Sequence, residues 1–301
     1  MSSVLVVGSV AFDTIETPRG TAPFVLGGAA SYFSVSANFF TKVALVAVVG
    51  EDFPDEHRQF FKAQGIDTAG LVTQKGGKTF YWKGRYHEDL NTRDTLEVHL
   101  NVIADYQPEL PLDYRDTPYV FLANSSPVTH LKVLSQMHQP QLVMADTMDF
   151  WIETQRDALM ELLPRLDGFV LNDSEAKLLT EEDNLISAGE RVRALGPKFV
   201  IIKKGEHGSI LFSKDGIVVL PAFPTPNVVD PTGAGDSFAG GVMGYLASEP
   251  EGAQGRLRRA MAHGTVLASL TIEDFGLDRL KNARRAEIDQ RYTQYKNMLA
   301  F

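Results

Sequence analysis

Apolar residues fall along this chain in two periods. Short runs without polar interruption, at Val4–Val7, 43–49, Tyr119–Leu122, 142–145, 168–171 and 199–202, read as strands buried on both faces. Between them lie segments of helical period, among them 29–40, 59–64 (closed by Gly65), 155–166 and Leu185–Ala194. Beyond Asp236 the stretch to Ser269 reads as helix, loop and helix. Strands alternating with helices predict parallel strands joined by crossover helices, hence an α/β fold with a sheet between two helical layers. The rhythm does not restart, so residues 1–301 read as one unit rather than two domains.

Two stretches depart from that rhythm. Residues 12–26 alternate apolar and polar positions around Pro18-Arg19-Gly20, and 78–102 alternate through Phe80, Trp82, Gly84 and Tyr86 and then Leu96, Val98 and Leu100. Period-2 alternation marks strands with one face exposed, so both are expected in a small sheet projecting from the body. Two edge hairpins without a role would show the same pattern. Exposed strand edges also allow two chains to pair, so a homodimer through this sheet and a monomer with a covering flap are both open.

Composition narrows the chemistry. The 301 residues are 44% hydrophobic and 22% charged, ordinary globular values, with 29 basic against 38 acidic side chains for a net charge of −9. That field disfavours nucleic acid and anionic membrane as partners, although a local nest of N–H groups can still hold a small anion. There is no cysteine, which excludes disulfides, thiolate catalysis and zinc–thiolate or iron–sulfur sites. Met1-Ser2-Ser3 runs straight into the first strand without a basic leader, and no apolar run approaches the roughly 20 residues of a membrane span, so a cytoplasmic protein is expected.

The segment richest in chemistry is Asp230-Pro-Thr-Gly-Ala-Gly-Asp236-Ser-Phe-Ala-Gly-Gly. Small residues at 233–235 permit a tight turn and close approach of a ligand, and the residues after them are helical in character. The N–H groups of Gly233, Ala234, Gly235 and Asp236 would then open a helix and form an anion hole suited to a phosphoryl group in transfer. A carboxylate at 236 cannot ligate a phosphate directly, but it can take the proton of a hydroxyl attacking one. An ordinary helix cap with Asp satisfying free N–H groups is the plain alternative, although a cap has no need of Gly-Ala-Gly before it.

This segment, 230–243, resembles the C-terminal signature of the ribokinase-like (PfkB) carbohydrate kinases, and the resemblance extends back to Gly8-Ser-Val-Ala-Phe-Asp13. It implies a Rossmann-like three-layer αβα sandwich (ribokinase-like) with a small β-sheet lid, ATP and Mg²⁺ as cofactors, and Asp236 as catalytic base. By the same resemblance Asp13, Gly27 and Gly28 bind the acceptor, and Tyr32 occupies a position where the family usually has Asn, which leaves the acceptor open. Asn172 and Glu175 match the family's Asn-x-x-Glu motif, with Asn172 near the phosphates and Glu175 organising Mg²⁺ through water; read alone, this motif would simply begin a helix. Lys203, Gly205 and Gly208 resemble the strand-to-loop segment at the nucleotide, which also fits a hairpin, and His263 stands where a residue often meets adenine. Asp230 and Thr232 resemble the family's monovalent-cation (K⁺) ligands, while Thr271-Ile-Glu-Asp-Phe-Gly276 departs from the commoner Gly-rich continuation. In the lid, Lys78, Trp82, Arg85, His87, Asn91 and Arg93 are candidates for touching the acceptor.

The expected activity is transfer of the γ-phosphoryl group of ATP to an alcohol of a sugar. A nucleoside kinase, with Tyr32, Phe33 and the lid aromatics stacking a base, is the enzymatic rival. A non-catalytic nucleotide- or sugar-binding homologue is the other. An NAD-dependent enzyme fits poorly, because residues 8–13 lack the Gly-x-Gly-x-x-Gly that lets backbone approach a pyrophosphate.

Overall fold

In the first strand Val4 and Val6 point into one hydrophobic layer and Leu5 and Val7 into the other, all at 1% exposure or less. That is the alternation a strand sandwiched between two helical layers must show. The computed structural model describes residues 3–249 and 255–300. Its strands are β1 (Val4–Val7), β2 (Ala11–Thr17), β3 (Gly20–Gly27), β4 (Val43–Gly50), β5 (Asp67–Gln74), β6 (Phe80–Tyr86), β7 (Arg93–His99), β8 (Tyr119–Leu122), β9 (Leu142–Asp146), β10 (Gly168–Asn172), β11 (Phe199–Lys203), β12 (Ser209–Ser213) and β13 (Gly216–Leu220). Nine of these form the central sheet in the order β13-β12-β11-β10-β9-β8-β1-β4-β5. From β11 to β5 the pairs are parallel, and the β12–β13 hairpin adds to β11 antiparallel. The α/β sandwich expected from the alternating periods is thus the observed fold.

One helical layer contains Ala29–Asn38, Ala234–Ser248 and Arg256–Thr271. Its core includes Tyr32, Phe33, Val242, Met243 and Leu267. Gly240 and Gly244 lie one turn apart and face backbone of Ala29–Asn38, while Gly241 meets Gly264 of Arg256–Thr271. Lacking side chains there, the helix Ala234–Ser248 is clamped closely between its neighbours, so its N-terminus is held rigidly over the sheet. The opposite layer packs Leu159, Leu162, Leu179 and Val192 on the other face. The helix expected over 155–166 is observed as Arg156–Leu162 followed by a 3₁₀ turn at Leu163–Arg165, and a further short helix, Asp149–Thr154, precedes it. The break falls at Gln155, whose backbone leaves the helical region (φ −133°, ψ 37°) and whose side-chain oxygen accepts from Ser126 Oγ at 2.6 Å.

The two alternating stretches form one separate four-stranded sheet, ordered β3-β2-β6-β7, which is the lid. Each hairpin pairs antiparallel within itself, but the two are joined by parallel pairing of β2 with β6. Every residue of β7 is exposed, including Leu96 and Val98. Among the described residues no helix is long and apolar enough to cross a membrane.

Candidate active site

The predicted site residues converge where the C-terminal ends of β1 and β9–β11 meet the lid and the N-terminus of Ala234–Ser248, the end of a parallel sheet where crevices form. That helix starts as the motif requires. Gly233 is left-handed (φ 74°), open to glycine at little cost, and a β-carbon there would lie 2.3 Å from Cδ1 of the Tyr32 ring beneath it. Ala234 N–H donates to Pro231 O at 3.2 Å, so that amide is spent on the turn and the predicted hole narrows to its neighbours. The amides of Gly235 and Asp236, in the first turn, lack intrahelical acceptors and face the crevice end of the helix.

Asp236 is partly buried at this helix start. Burial, reinforced by Asp146, pushes its carboxyl up to about 7, against the pull of Lys203 and Arg93. Asp13, on β2, is 4% exposed. Burial, with Asp230 and Asp236 nearby, raises it to about 8, while the nearby Gly28 N–H works the other way. A β-carbon on Gly27 would lie 1.9 Å from Asp13 Oδ2, so this strand end tolerates no side chain. The 27–30 loop is tied to the end of β1 through Ala29 N donating to Ser9 Oγ at 3.0 Å.

At the β10 end of the crevice, Asn172 ends its strand and caps the helix Asp173–Thr180. Its Oδ1 accepts from Glu175 N at 2.7 Å, and Glu175 Oε2 accepts from Asn172 N at 2.6 Å, a reciprocal capping box. The helix-start reading of Asn-x-x-Glu is therefore correct as local structure. Glu175 is buried, and burial raises its carboxyl to about 8. Lys203 ends β11 and its Nζ lies 3.2 Å from Asp146 Oδ2. Burial disfavours its charge, but Asp146, Glu175 and Asp236 together hold its pKa above the usual lysine value. Gly205 and Gly208 frame the turn after β11, and Asn91 of the lid comes to 3.1 Å from the β-carbon position of Gly205, so the lid tip reaches this loop.

Asp230 is wholly buried, its two oxygens accepting from Thr232 N (2.8 Å) and Gly276 N (2.9 Å). Thr232 Oγ1 donates to Tyr86 Oη at 3.2 Å, linking the motif to the lid strand β6. Arg93 of β7 acts on the same place, its charge lowering both the Tyr86 phenol and the Asp236 carboxyl. Trp82 lies half-buried on the lid face shared with Asp13 and Tyr86, and donates to Thr95 Oγ1 at 3.3 Å.

Other expected residues are not brought together. His263 stacks on Tyr292 (centroids 4.0 Å apart) and Tyr245 (4.5 Å), and burial holds its pKa near 4. Tyr245 lies near the far end of its helix, roughly 16 Å from Ala234 at 1.5 Å per residue, so His263 belongs to that aromatic stack. Tyr32 and Phe33 are 1% and 0% exposed and cannot stack a base: Tyr32 supports the 233 turn, and Phe33 stacks on Phe121 at 4.3 Å. Arg85 pairs with Glu16 on the other lid face, His87 pairs with Asp94, and Lys78 precedes β6 beside Gly50. Asp146 escaped sequence reasoning, although a carboxylate closing a central parallel strand is a legible signal.

This assembly was compared with known proteins. The profile of the pfkB family carbohydrate kinases matches residues 1–283. The chain belongs to this family. As a pfkB kinase it is a phosphotransferase with an alcohol group as acceptor. It is 31% identical over 259 residues to a cytidine kinase of Thermococcus kodakarensis, covering 83% of this chain and 91% of that protein. It is 29% identical over 294 residues to a nucleoside kinase of Methanocaldococcus jannaschii, covering 92% of each. The fold matches that of Salmonella enterica aminoimidazole riboside kinase complexed with aminoimidazole riboside and an ATP analog, with a TM-score of 0.76 at 20% identity over 96% of this chain and 99% of that one.

Proposed function

We propose that this pfkB kinase transfers the γ-phosphoryl group of Mg·ATP in line to a hydroxyl of a sugar or nucleoside, working as one kinase unit over 1–301 with 12–26 and 78–102 as its lid. The observation that carries this reading is the convergence of Asp236, Lys203 and Asp13 on the first turn of Ala234–Ser248. Asp236 takes the acceptor's proton as its oxygen bonds to phosphorus and the bond from phosphorus to the β–γ bridging oxygen breaks, leaving ADP. The first-turn amides and Lys203 stabilise the oxygens in transfer, and Asp13, still protonated near neutral pH, both donates to and accepts from vicinal hydroxyls. Asn172, Gly205 and Gly208 line the nucleotide side, while the lid excludes water that would otherwise hydrolyse ATP.

Among the described residues no three His, Asp or Glu side chains converge to hold a metal directly. This suits Mg²⁺, which keeps several waters: one Glu175 oxygen is engaged in the capping box and the other is left for a metal-bound water. When bound, Mg²⁺ neutralises charge on the triphosphate. The buried Asp230 carboxylate similarly supports K⁺ beside Asp230 and Thr232. The reading includes a cytoplasmic setting, where Mg·ATP is available. It also includes a homodimer through the lid, whose exposed Leu96, Val98 and Leu100 fit a second copy; light scattering that returns one chain per particle would remove it.

A nucleoside acceptor is favoured by Trp82, which offers an indole on the site-facing side of the lid, and by the cytidine and nucleoside kinase relatives. The test is ADP release with Mg·ATP across ribose, fructose, cytidine, adenosine and inosine. Acceptor-dependent turnover, lost in Asp236→Asn while ATP still binds, supports the kinase mechanism. Turnover by Asp236→Asn at the wild-type rate would remove Asp236 from its role.

A further inference from the structure

The crevice is crowded with negative charge before any phosphate enters. Asp13, Asp146, Glu175, Asp230 and Asp236 all surround it, and most are buried. The charges that bear on Asp236 are Asp146 of β9, Lys203 of β11, Arg93 of β7 and Asp13 of β2, with the Tyr32 phenol of Ala29–Asn38 beside them. Of the two cations, Arg93 belongs to the lid and Lys203 to the rigid body.

The position of Lys203 is imposed rather than adopted freely. Its strand is separated from β9 by β10, so its side chain and that of Asp146 together bridge two strand spacings, roughly 9–10 Å between backbones. Asp146 is itself fixed: Oδ1 accepts from Thr147 N at 2.8 Å, and the ammonium donates to Oδ2 at 3.2 Å and to Oδ1 at 3.5 Å. The crossing carries Nζ beneath the glycine turn, where a β-carbon on Gly235 would lie 3.0 Å away. Gly235 has ordinary helical backbone, so conformation does not demand glycine there, and a β-carbon would press directly on the ammonium.

We propose that Asp146 is a positioning residue that holds the Lys203 ammonium against the 233–235 turn, where it meets a non-bridging oxygen of the phosphoryl group in transfer. This rests on the kinase reading above. The pair stabilises charge that develops during transfer, so it acts on kcat more than on nucleotide binding. It also sets the environment of Asp236 from two sides, with the ammonium favouring the carboxylate form and Asp146 opposing it.

The experiment measures kcat, KM for ATP and the pH profile of kcat for wild type, Asp146→Asn, Lys203→Met and the double variant. Mg·ATP and the acceptor with the fastest wild-type turnover among ribose, fructose, cytidine, adenosine and inosine are the probes. Lys203→Met is expected to lower kcat by roughly 10²–10³-fold, the usual loss for one preorganised transition-state donor, with KM for ATP little changed. Asp146→Asn should lower kcat by roughly 10- to 100-fold, as for an ångström-scale misplacement. The double variant should be no worse than Lys203→Met, because Asp146 acts through Lys203.

The acid limb of the profile should move in opposite directions, upward in pH for Lys203→Met and downward for Asp146→Asn, while a fall in kcat with KM for ATP unchanged is what a purely structural pair would not produce. If Lys203→Met does not fold, Lys203→Arg and Gly235→Ala take its place: each displaces the cationic head and should lower kcat ahead of KM. Additive losses in the double variant, or a loss confined to KM for ATP, overturn the proposal. A wild type without acceptor-dependent ADP release overturns instead the kinase reading beneath it.

Discussion

The crevice rim and the lid both use ion pairs, and they use them oppositely. In the lid, Glu16 is met by Lys83 and Arg85, and His87 by Asp94, on surfaces open to water. At the rim, Lys203 meets Asp146 with the carboxylate at 4% exposure. Water screens the first kind, so its contribution to stability is small. The second kind lies where the dielectric is low, and it alters the protonation of every neighbour. The contrast teaches where charge can be kept unscreened: the lid pairs sit in water, while the rim, clamped by the close helix packing of Ala234–Ser248, holds its charges buried beside one another.

The largest expected effect that would sharpen this contrast is at the rim. Asp236→Asn should lower kcat by about 10²–10⁴-fold, the range for loss of a general base, while isothermal titration shows ATP binding preserved. A loss under threefold would break the assignment. In wild type, kcat should fall about tenfold per pH unit below the Asp236 value of about 7, since the carboxylate must be unprotonated to act. In the lid, Trp82→Ala should raise KM for a nucleoside acceptor about tenfold and leave KM for ATP alone; the reverse pattern would move Trp82 out of the acceptor face.

Stability should follow pH in a window set by the rim. Asp13 and Glu175 (both about 8) and Asp236 (about 7) bind protons more tightly folded than unfolded. Their contribution is therefore complete at low pH and is lost as pH rises through these values. His130 and His263, held near 4 by burial, act oppositely only below their unfolded value of about 6.5. Between about pH 6.5 and 8 the ligand-free protein should lose a few °C of melting temperature, read by calorimetry. A flat or rising Tm would show that these carboxyls are not protonated in the fold. Least of all, Glu16→Gln should leave the melting temperature unchanged within error, and a clear drop would mean the lid pairs are not screened as their exposure implies.

Much of this was legible in the chain. The uninterrupted runs at Val4–Val7 and Tyr119–Leu122 announce strands buried on both faces because only the centre of a parallel sheet asks for that pattern. The 230–243 motif placed a turn and a helix start correctly because small residues and Pro act locally. The short helix Asp149–Thr154 ahead of Gln155 was not legible, since the Ser126 that fixes Gln155 at its end is distant in sequence. Nor was the place of His263, whose helical period fits a site and an aromatic stack equally well. Tyr32 likewise looks like a ligand-stacking ring in sequence and is a buried support in the fold.

The sequence by itself determined the layers, the two alternating lid segments and the phosphate-turn motif, because periodicity and turn chemistry are written within a few residues of one another. The tertiary structure decided the rest: that the two lid hairpins join through parallel pairing of β2 and β6, and that Lys203 reaches past β10 to Asp146. It also decided that Asp230 and Asp236 are near enough to raise Asp13. Those facts depend on which strand ends the topology sets side by side, and burial and Coulomb interaction act only once residues far apart in the chain are brought within a few ångströms.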